Sequence, residues 1–389
     1  MTPDDSVIDL WYQAVTGNGK VSEDELVFAL KQEYPGLISA VFERGCTLQC
    51  VHCFYQAEAM TAAKADKHGM GSALKNLTSE LIRLRPCHLL HAGRILRHWH
   101  VRVLRDIKLA RPGVKIGLID SGNYTDLIEV ITREGLAFDW LDISLDGPNE
   151  AHNKQRRNQK AFQMASNGLA RAREVLTPDG RLTCLFTLTT INAHTVAETA
   201  DIALEQANEF HLSPISPRHG LEELVPSEHD IEAMWEGVLK SVRTHGRDRV
   251  MVRMYSASEL LRLAKVIGSK TVWQAFAKTL VFPETAGCLL DLDGVRVSFF
   301  PPSLWPKEEI IVDADAHYRL GYSGQFTLVE HQQGRSVSGQ DISSYTVAKL
   351  TSSSCFAELY PRCVETWWRL LGHKKFEQEA EAVAVLQGS

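Results

Sequence analysis

From residue 37 to residue 216 the chain alternates short apolar, β-branched runs with longer segments of helical period, and this alternation restricts the possible folds more than any other feature. The runs fall at 37–42, 87–91, 114–120, 140–145, 182–190 and 210–216, set apart by Gly, Pro, Asn and Asp. Helical patterns lie between them at 57–84, 95–110, 124–134, 158–176 and 194–208. Within 158–176, Phe162, Ala165, Leu169, Ala172 and Leu176 recur at three- and four-residue steps and form one apolar stripe. Strands alternating with helices of this length make βαβ units with parallel strands. Six runs within 37–225 therefore predict an α/β fold, a partial (β/α)6 TIM-like barrel. In such an array the chemistry sits in the loops that leave the C-terminal strand ends.

The flanks read differently. Residues 1–36 hold two short helical patterns, 7–15 and 22–32, the second opened by Ser22 and Glu25 at capping-box spacing. After residue 225 come helices at 228–243, 256–267 and 270–280. A hairpin follows, 289–292 and 295–300, turning on Asp293-Gly294, and then a mixed region with a helical stretch at 345–371. The expected organisation is an N-terminal helical extension (1–36), a barrel core (37–225) and an α+β C-terminal extension (226–389).

Charge and hydropathy narrow the partners. A net charge of −6 offers no basic field for a phosphate backbone, so no nucleic-acid partner is expected. No apolar run approaches the roughly 20 residues that span a bilayer, and Met1-Thr-Pro-Asp lacks the basic and apolar regions of a signal peptide. A cytoplasmic, reducing location follows as the expectation, and the eight cysteines are then thiols or metal ligands.

Three of those cysteines sit in Cys46-Thr-Leu-Gln-Cys50-Val-His-Cys53, directly after the first run. Thiolates packed this densely on one loop are suited to a metal centre, and a closed zinc or iron–sulfur site takes four ligands. Two completions are open from the residues alone: zinc with His52 as a further ligand, or an iron–sulfur cubane with one iron left free. A non-catalytic zinc or electron-transfer protein is thus the alternative to an enzyme. Ser121-Gly122-Asn123, Asp146-Gly147-Pro148 and Asn192 also fall at strand ends. Each is ordinary turn composition in its own right.

The spacing Cys46-x3-Cys50-x2-Cys53 after a first strand is similar to the signature of the radical S-adenosylmethionine superfamily. A second stretch, Asp142-Ile-Ser-Leu-Asp146-Gly-Pro-Asn-Glu-Ala-His152-Asn-Lys-Gln-Arg156, resembles the fourth-strand segment of the branch that contains anaerobic sulfatase-maturing enzymes and peptide maturases. Ser144, Asp146, His152 and Arg156 occupy its marked positions. Gly93, in His91-Ala-Gly93-Arg94, stands where that family's glycine-rich motif receives the methionyl amino group, here without the usual carboxylate. The resemblance covers residues 37–220.

The resemblance implies a [4Fe-4S] cluster on Cys46, Cys50 and Cys53, with S-adenosylmethionine chelating the open iron. It implies reductive cleavage of that cofactor to a 5′-deoxyadenosyl radical, fed by an external reductant such as a flavodoxin or ferredoxin. The radical takes hydrogen from a peptide or small natural product, leading to crosslinking, epimerisation, oxidation or rearrangement. Ser121 and Asn123 then contact the ribose or methionyl part, Ser144 and Asp146 face the cofactor, Arg156 pairs with its carboxylate, and Asn192 meets ribose or adenine. Relatives with this fourth-strand motif often carry further clusters C-terminally. Only Cys288, Cys355 and Cys363 remain here for that, fewer than one closed cluster needs, so a single cluster is expected. Cys87 and Cys184 lie in expected core strands and read as buried thiols.

Overall fold

The computed structural model describes residues 37–41, 46, 48–53, 78–79, 81–82, 88–91, 96–215, 221–254, 257–268, 271–272, 275, 280–281, 288–299, 309–313, 317–320 and 337–338. The helices expected at 7–15, 22–32 and 345–371, and most of that at 57–84, lie outside these residues.

The strands are β1 (Leu37–Val41), β2 (His88–His91), β3 (Lys115–Asp120), β4 (Phe138–Ser144), β5 (Leu176–Leu188) and β6 (Glu209–Pro214). After them come β7 (Val250–Met254), β8 (Leu280–Val281), β9 (Cys288–Leu292), β10 (Val295–Phe299), β11 (Glu309–Asp313), β12 (His317–Leu320) and β13 (Val337–Ser338). The helices are α1 (His98–Ala110), α2 (Ile128–Arg133), α3 (Asn149–Arg156), α4 (Ala161–Arg171), α5 (Val196–Leu204), α6 (Glu228–His245) and α7 (Ala257–Ile267).

All thirteen strands join one open sheet in the order β13-β12-β11-β1-β2-β3-β4-β5-β6-β7-β10-β9-β8. The run from β11 through β1–β7 to β10 is parallel throughout, nine strands in all. The α/β expectation therefore holds, and the open parallel sheet agrees with a partial rather than a full barrel. Six strands undercount the parallel array. β7 went unread because Arg247-Asp248-Arg249 precede it and Arg253 interrupts its apolar pattern. β9 and β10 form the expected hairpin, and Asp293 (φ 53°) with Gly294 (φ 81°) supply its two left-handed turn residues.

Alternation along each strand gives the sheet two chemically different faces. Leu141, Ile143, Leu182, Cys184, Phe186, Phe210 and Leu212 are buried on one face in the main core, together with helix residues such as Ile131, Leu169, Val196 and Ala200. Phe186 and Phe210 stack with centroids 5.7 Å apart at 59°. On the other face the register aligns Asp142 with Thr183 and Thr183 with Glu209, and His211 lies two residues beyond Glu209. Trp140 lies on this face too, and its indole covers Gly117 so closely that a Cβ there would sit 1.8 Å from the ring. The β1, β3, β4 and β5 ends bring the cysteine loop, residues 121–123, residues 145–148 and residues 189–192 to one rim of the sheet.

Candidate metal centre and cofactor site

The described part of the loop after β1 is Cys46 and residues 48–53. Cys50 is buried, Cys46 and Cys53 are half-buried, and none of the three forms a disulfide. Leu48, only 3% exposed, anchors the loop, and its N–H donates to the Cys46 sulfur at 3.4 Å. The Cys53 N–H closes a turn on the Cys50 carbonyl (3.1 Å), and the Val51 N–H donates to the Gln155 carbonyl (2.9 Å). That last bond ties the loop to the end of α3.

Helix α3 was not anticipated. The expected helical pattern begins at 158, which left Arg156 at a helix entry; the structure makes Arg156 the last residue of an earlier helix. Pro148 precedes the first helical residue, Glu150 lies in the first turn, Lys154 and Arg156 lie in the last, and Arg157 in left-handed conformation (φ 49°) ends it. Its buried residues are His152, Asn153, Gln155 and Arg156, all polar, so no apolar stripe marks it.

Asp146 is completely buried beneath this helix. One carboxylate oxygen accepts from the Thr187 N–H (2.9 Å) and the other lies 2.6 Å from Arg156 Nε. Its own N–H donates to His152 Nδ1 (2.8 Å), and its carbonyl accepts from Asn192 Nδ2 (2.7 Å). Arg156 reaches past the carboxylate, and its Nη1 donates to the Cys50 sulfur at 3.7 Å. Burial alone would raise the Asp146 pKa, but the Arg156 guanidinium beside it holds the carboxyl below the usual range. Burial pushes the Cys50 thiol up, and Arg156 works against that shift. His152, driven down to about 3 by burial, stays neutral and accepts the Asp146 N–H. His52 is held down to about 4, first by burial and then by Arg156.

Asn192 is buried and engaged at both ends of its amide. Its Nδ2 donates to the Asp146 and Thr187 carbonyls (2.7 and 2.9 Å), and its Oδ1 accepts from the Thr189 N–H (2.8 Å). Gln155 extends the brace, donating to the Thr187 carbonyl (2.9 Å) and accepting from the Thr189 hydroxyl (2.8 Å). This geometry makes Asn192 a junction between the β4 and β5 loops. Gln155, Thr187 and Thr189, which sequence reasoning passed over, complete the junction. The Asp146–Arg156 spacing across one short helix was the signal that could have found Gln155.

Ser144 is half-buried as the last residue of β4, opposite Leu185. Ser121 and Asn123 are half-buried after β3 and flank Gly122, whose φ of +95° and closeness to the Met164 carbonyl exclude a side chain. The preceding Asp120 is buried and receives the Tyr124 N–H (3.2 Å); burial raises its pKa to about 7. Cys184 is buried in β5 and Cys288 opens β9. Gly93, Cys87, Cys355 and Cys363 lie outside the described residues.

The inner face holds a further polar group that the sequence reading missed. His211 Nε2 donates to Glu209 (2.5 Å), Arg181 also pairs with Glu209, and Asp142 is raised to about 6 by burial. A carboxylate in the middle of the apolar β4 run was the available sign.

No family model matches the sequence, and no curated protein matches it. Solved structures do. One is anSMEcpe with bound AdoMet, 12% identical, with a TM-score of 0.54 over 84% of this chain and 83% of that one. Another is SuiB of Streptococcus suis bound to S-adenosylmethionine, 9% identical, with a TM-score of 0.56 over 92% of this chain and 78% of that one. The chain shares the fold of these two S-adenosylmethionine-bound structures. SuiB bound to its precursor peptide SuiA matches with a TM-score of 0.54, again at 9% identity over 92% and 78% of the two chains.

The resemblance of the Cys46-x3-Cys50-x2-Cys53 spacing implies an iron–sulfur cluster on the first βα loop, and the chemistry of the donors suits one. Three thiols outside any disulfide share the loop, and N–H groups of Leu48 and Arg156 already point at the sulfurs of Cys46 and Cys50. Among the described residues, no group of three or more His, Cys, Asp or Glu side chains is drawn together around a single ion.

Proposed function

We propose that this protein is a radical S-adenosylmethionine enzyme that modifies a peptide or small natural product by hydrogen-atom abstraction. The observation that carries the proposal is the loop of Cys46, Cys50 and Cys53, thiols outside any disulfide at the rim of a sheet shared with AdoMet-bound structures. Once bound, the cluster and cofactor supply reductive cleavage of the sulfonium to a radical that removes a substrate hydrogen.

The chain's own residues bind, orient and exclude water. Cys46, Cys50 and Cys53 act as the thiolate ligands of a [4Fe-4S] cluster. Ser121, Asn123 and Ser144 are half-buried at neighbouring strand ends and offer hydroxyl and amide groups to the ribose and methionyl parts. Gly93 gives backbone access to the amino group, and Arg156 is the cation for the carboxylate. Asp146 and Asn192 hold Arg156 and the loops in place from below. Burial of Leu48 and Cys50 keeps water from the inner side of the cysteine loop. The likeness to peptide-bound SuiA–SuiB favours a peptide among the substrate classes. A flavodoxin- or ferredoxin-type reductant, a cytoplasmic setting and the 1–36, 37–225 and 226–389 organisation belong to the same reading.

The test is anaerobic reconstitution with iron and sulfide, followed by reduction with S-adenosylmethionine. Wild-type protein should hold about four iron atoms per chain and release 5′-deoxyadenosine. Changing the three loop cysteines to Ala should abolish both. Bound iron without 5′-deoxyadenosine would sink the enzyme reading. About eight iron atoms would instead mark a second cluster, with Cys288, Cys355 and Cys363 as its candidate ligands.

A further inference from the structure

We propose that Arg156 is a positioning residue for the metal loop, clamped by Asp146 so that its guanidinium stands against the Cys50 sulfur and raises the reduction potential of the cluster held there. The inference rests on the reading of Cys46, Cys50 and Cys53 as cluster ligands.

The contacts fix the guanidinium from two sides. Its Nε lies 2.6 Å from Asp146 Oδ2, and its Nη1 donates to Cys50 Sγ at 3.7 Å. Arg156 is 7% exposed, Asp146 0% and Cys50 5%, so the three groups meet away from water. The carboxylate is itself held by the Thr187 N–H (2.9 Å), and its residue's carbonyl by Asn192 (2.7 Å). The guanidinium thus takes its position from β5 through Asp146, and not from the loop it touches. The residue before it, Gln155, receives the Val51 N–H at 2.9 Å. The end of α3 therefore grips the loop at the main chain beside Cys50 and at the Cys50 sulfur itself.

A cluster gains negative charge when it is reduced. A fixed cation and N–H donor at a ligand sulfur stabilise that added charge, more strongly in a buried site than in water. A guanidinium has five N–H donors, so these two contacts leave others for the cofactor carboxylate. The role at Cys50 is additional to that one and exists before any cofactor binds.

The experiment is a spectroelectrochemical titration of anaerobically reconstituted protein without S-adenosylmethionine, comparing wild type, Arg156→Gln and Arg156→Lys. Arg156→Gln should retain iron and shift the midpoint potential to more negative values. Arg156→Lys keeps the charge without the fork that bridges carboxylate and sulfur, and should fall between the two. Equal potentials for wild type and Arg156→Gln overturn the proposal. If Arg156→Gln does not fold, Arg156→Lys decides: a potential below wild type supports the proposal and one equal to it overturns it. A wild-type chain that takes up no iron overturns the cluster reading as well, so the two failures are distinguishable.

Discussion

The amide of Asn192 holds together two loops that sequence distance keeps apart. Replacing it by Ala leaves the buried Thr189 N–H without its acceptor and the buried Asp146 carbonyl without this donor, while the half-buried Thr187 carbonyl keeps the Gln155 amide. A buried polar group left unsatisfied costs about 1–3 kcal/mol. Asn192→Ala should therefore lower the stability of the apo-protein by at least about 2 kcal/mol in urea titration, and a loss under about 0.5 kcal/mol would mean the junction is not needed. Cys46, Cys50, Cys53, Asp146, Arg156 and Asn192 were all legible as residues, because spacing and strand-end placement are properties of the chain itself. Their partners were not. The pairing of Asp146 with Arg156 and Cys50 depends on α3, and that helix buries polar side chains, the class that a search for apolar periodicity discards.

Among elements, the turn after β3 shows how closely the rim is packed. Gly122 combines a left-handed φ of +95° with a virtual Cβ only 2.0 Å from the Met164 carbonyl of α4. Gly135 is also left-handed (φ +66°), but nothing lies within 4 Å of its Cβ position. Gly135→Ala should cost roughly 1–2 kcal/mol, the conformational term alone. Gly122→Ala must also displace α4 and should cost at least about twice as much, read from denaturant midpoints. Equal losses would show that the α4 backbone yields freely. In the core, Phe210→Ala removes a fully buried ring stacked on Phe186 and should cost about 3–5 kcal/mol. Most strands were read to within two residues because Gly, Pro and Asp bound their apolar runs, but β5 begins at Leu176, a residue expected on the preceding helix, and not at 182. β7 was lost because two helices and a charged approach enclose only five residues.

At the scale of the whole molecule, buried titratable groups set a pH dependence. His52 and His91 are pushed down to about 4, and His152 and His211 to about 3, in each case chiefly by burial. Their unfolded pKa is about 6.5, so below it the unfolded chain takes up protons that the folded one refuses, and stability falls with pH. Asp120 and Asp142 are raised to about 7 and about 6, and their contribution has the opposite sign, being fully present in acid and lost as pH rises through those values. Near pH 5 four histidines outweigh two carboxylates by about two protons, or roughly 2.7 kcal/mol per pH unit. Urea midpoints of the apo-protein should accordingly decline from pH 6 toward pH 4.5; a flat or rising profile would contradict the assignment of these histidines as neutral. The strand order is the feature of this scale that no local pattern discloses. β1 carries the cysteine loop, and its register pairs Leu37 with His88 on one side and with Glu309 on the other. A ribosome releases these two neighbours far apart in time. Until β11 arrives, one edge of the strand that presents the thiols stays bare, open to pairing with another chain. A nascent chain stalled before residue 309 should therefore present its cysteines on a half-supported strand.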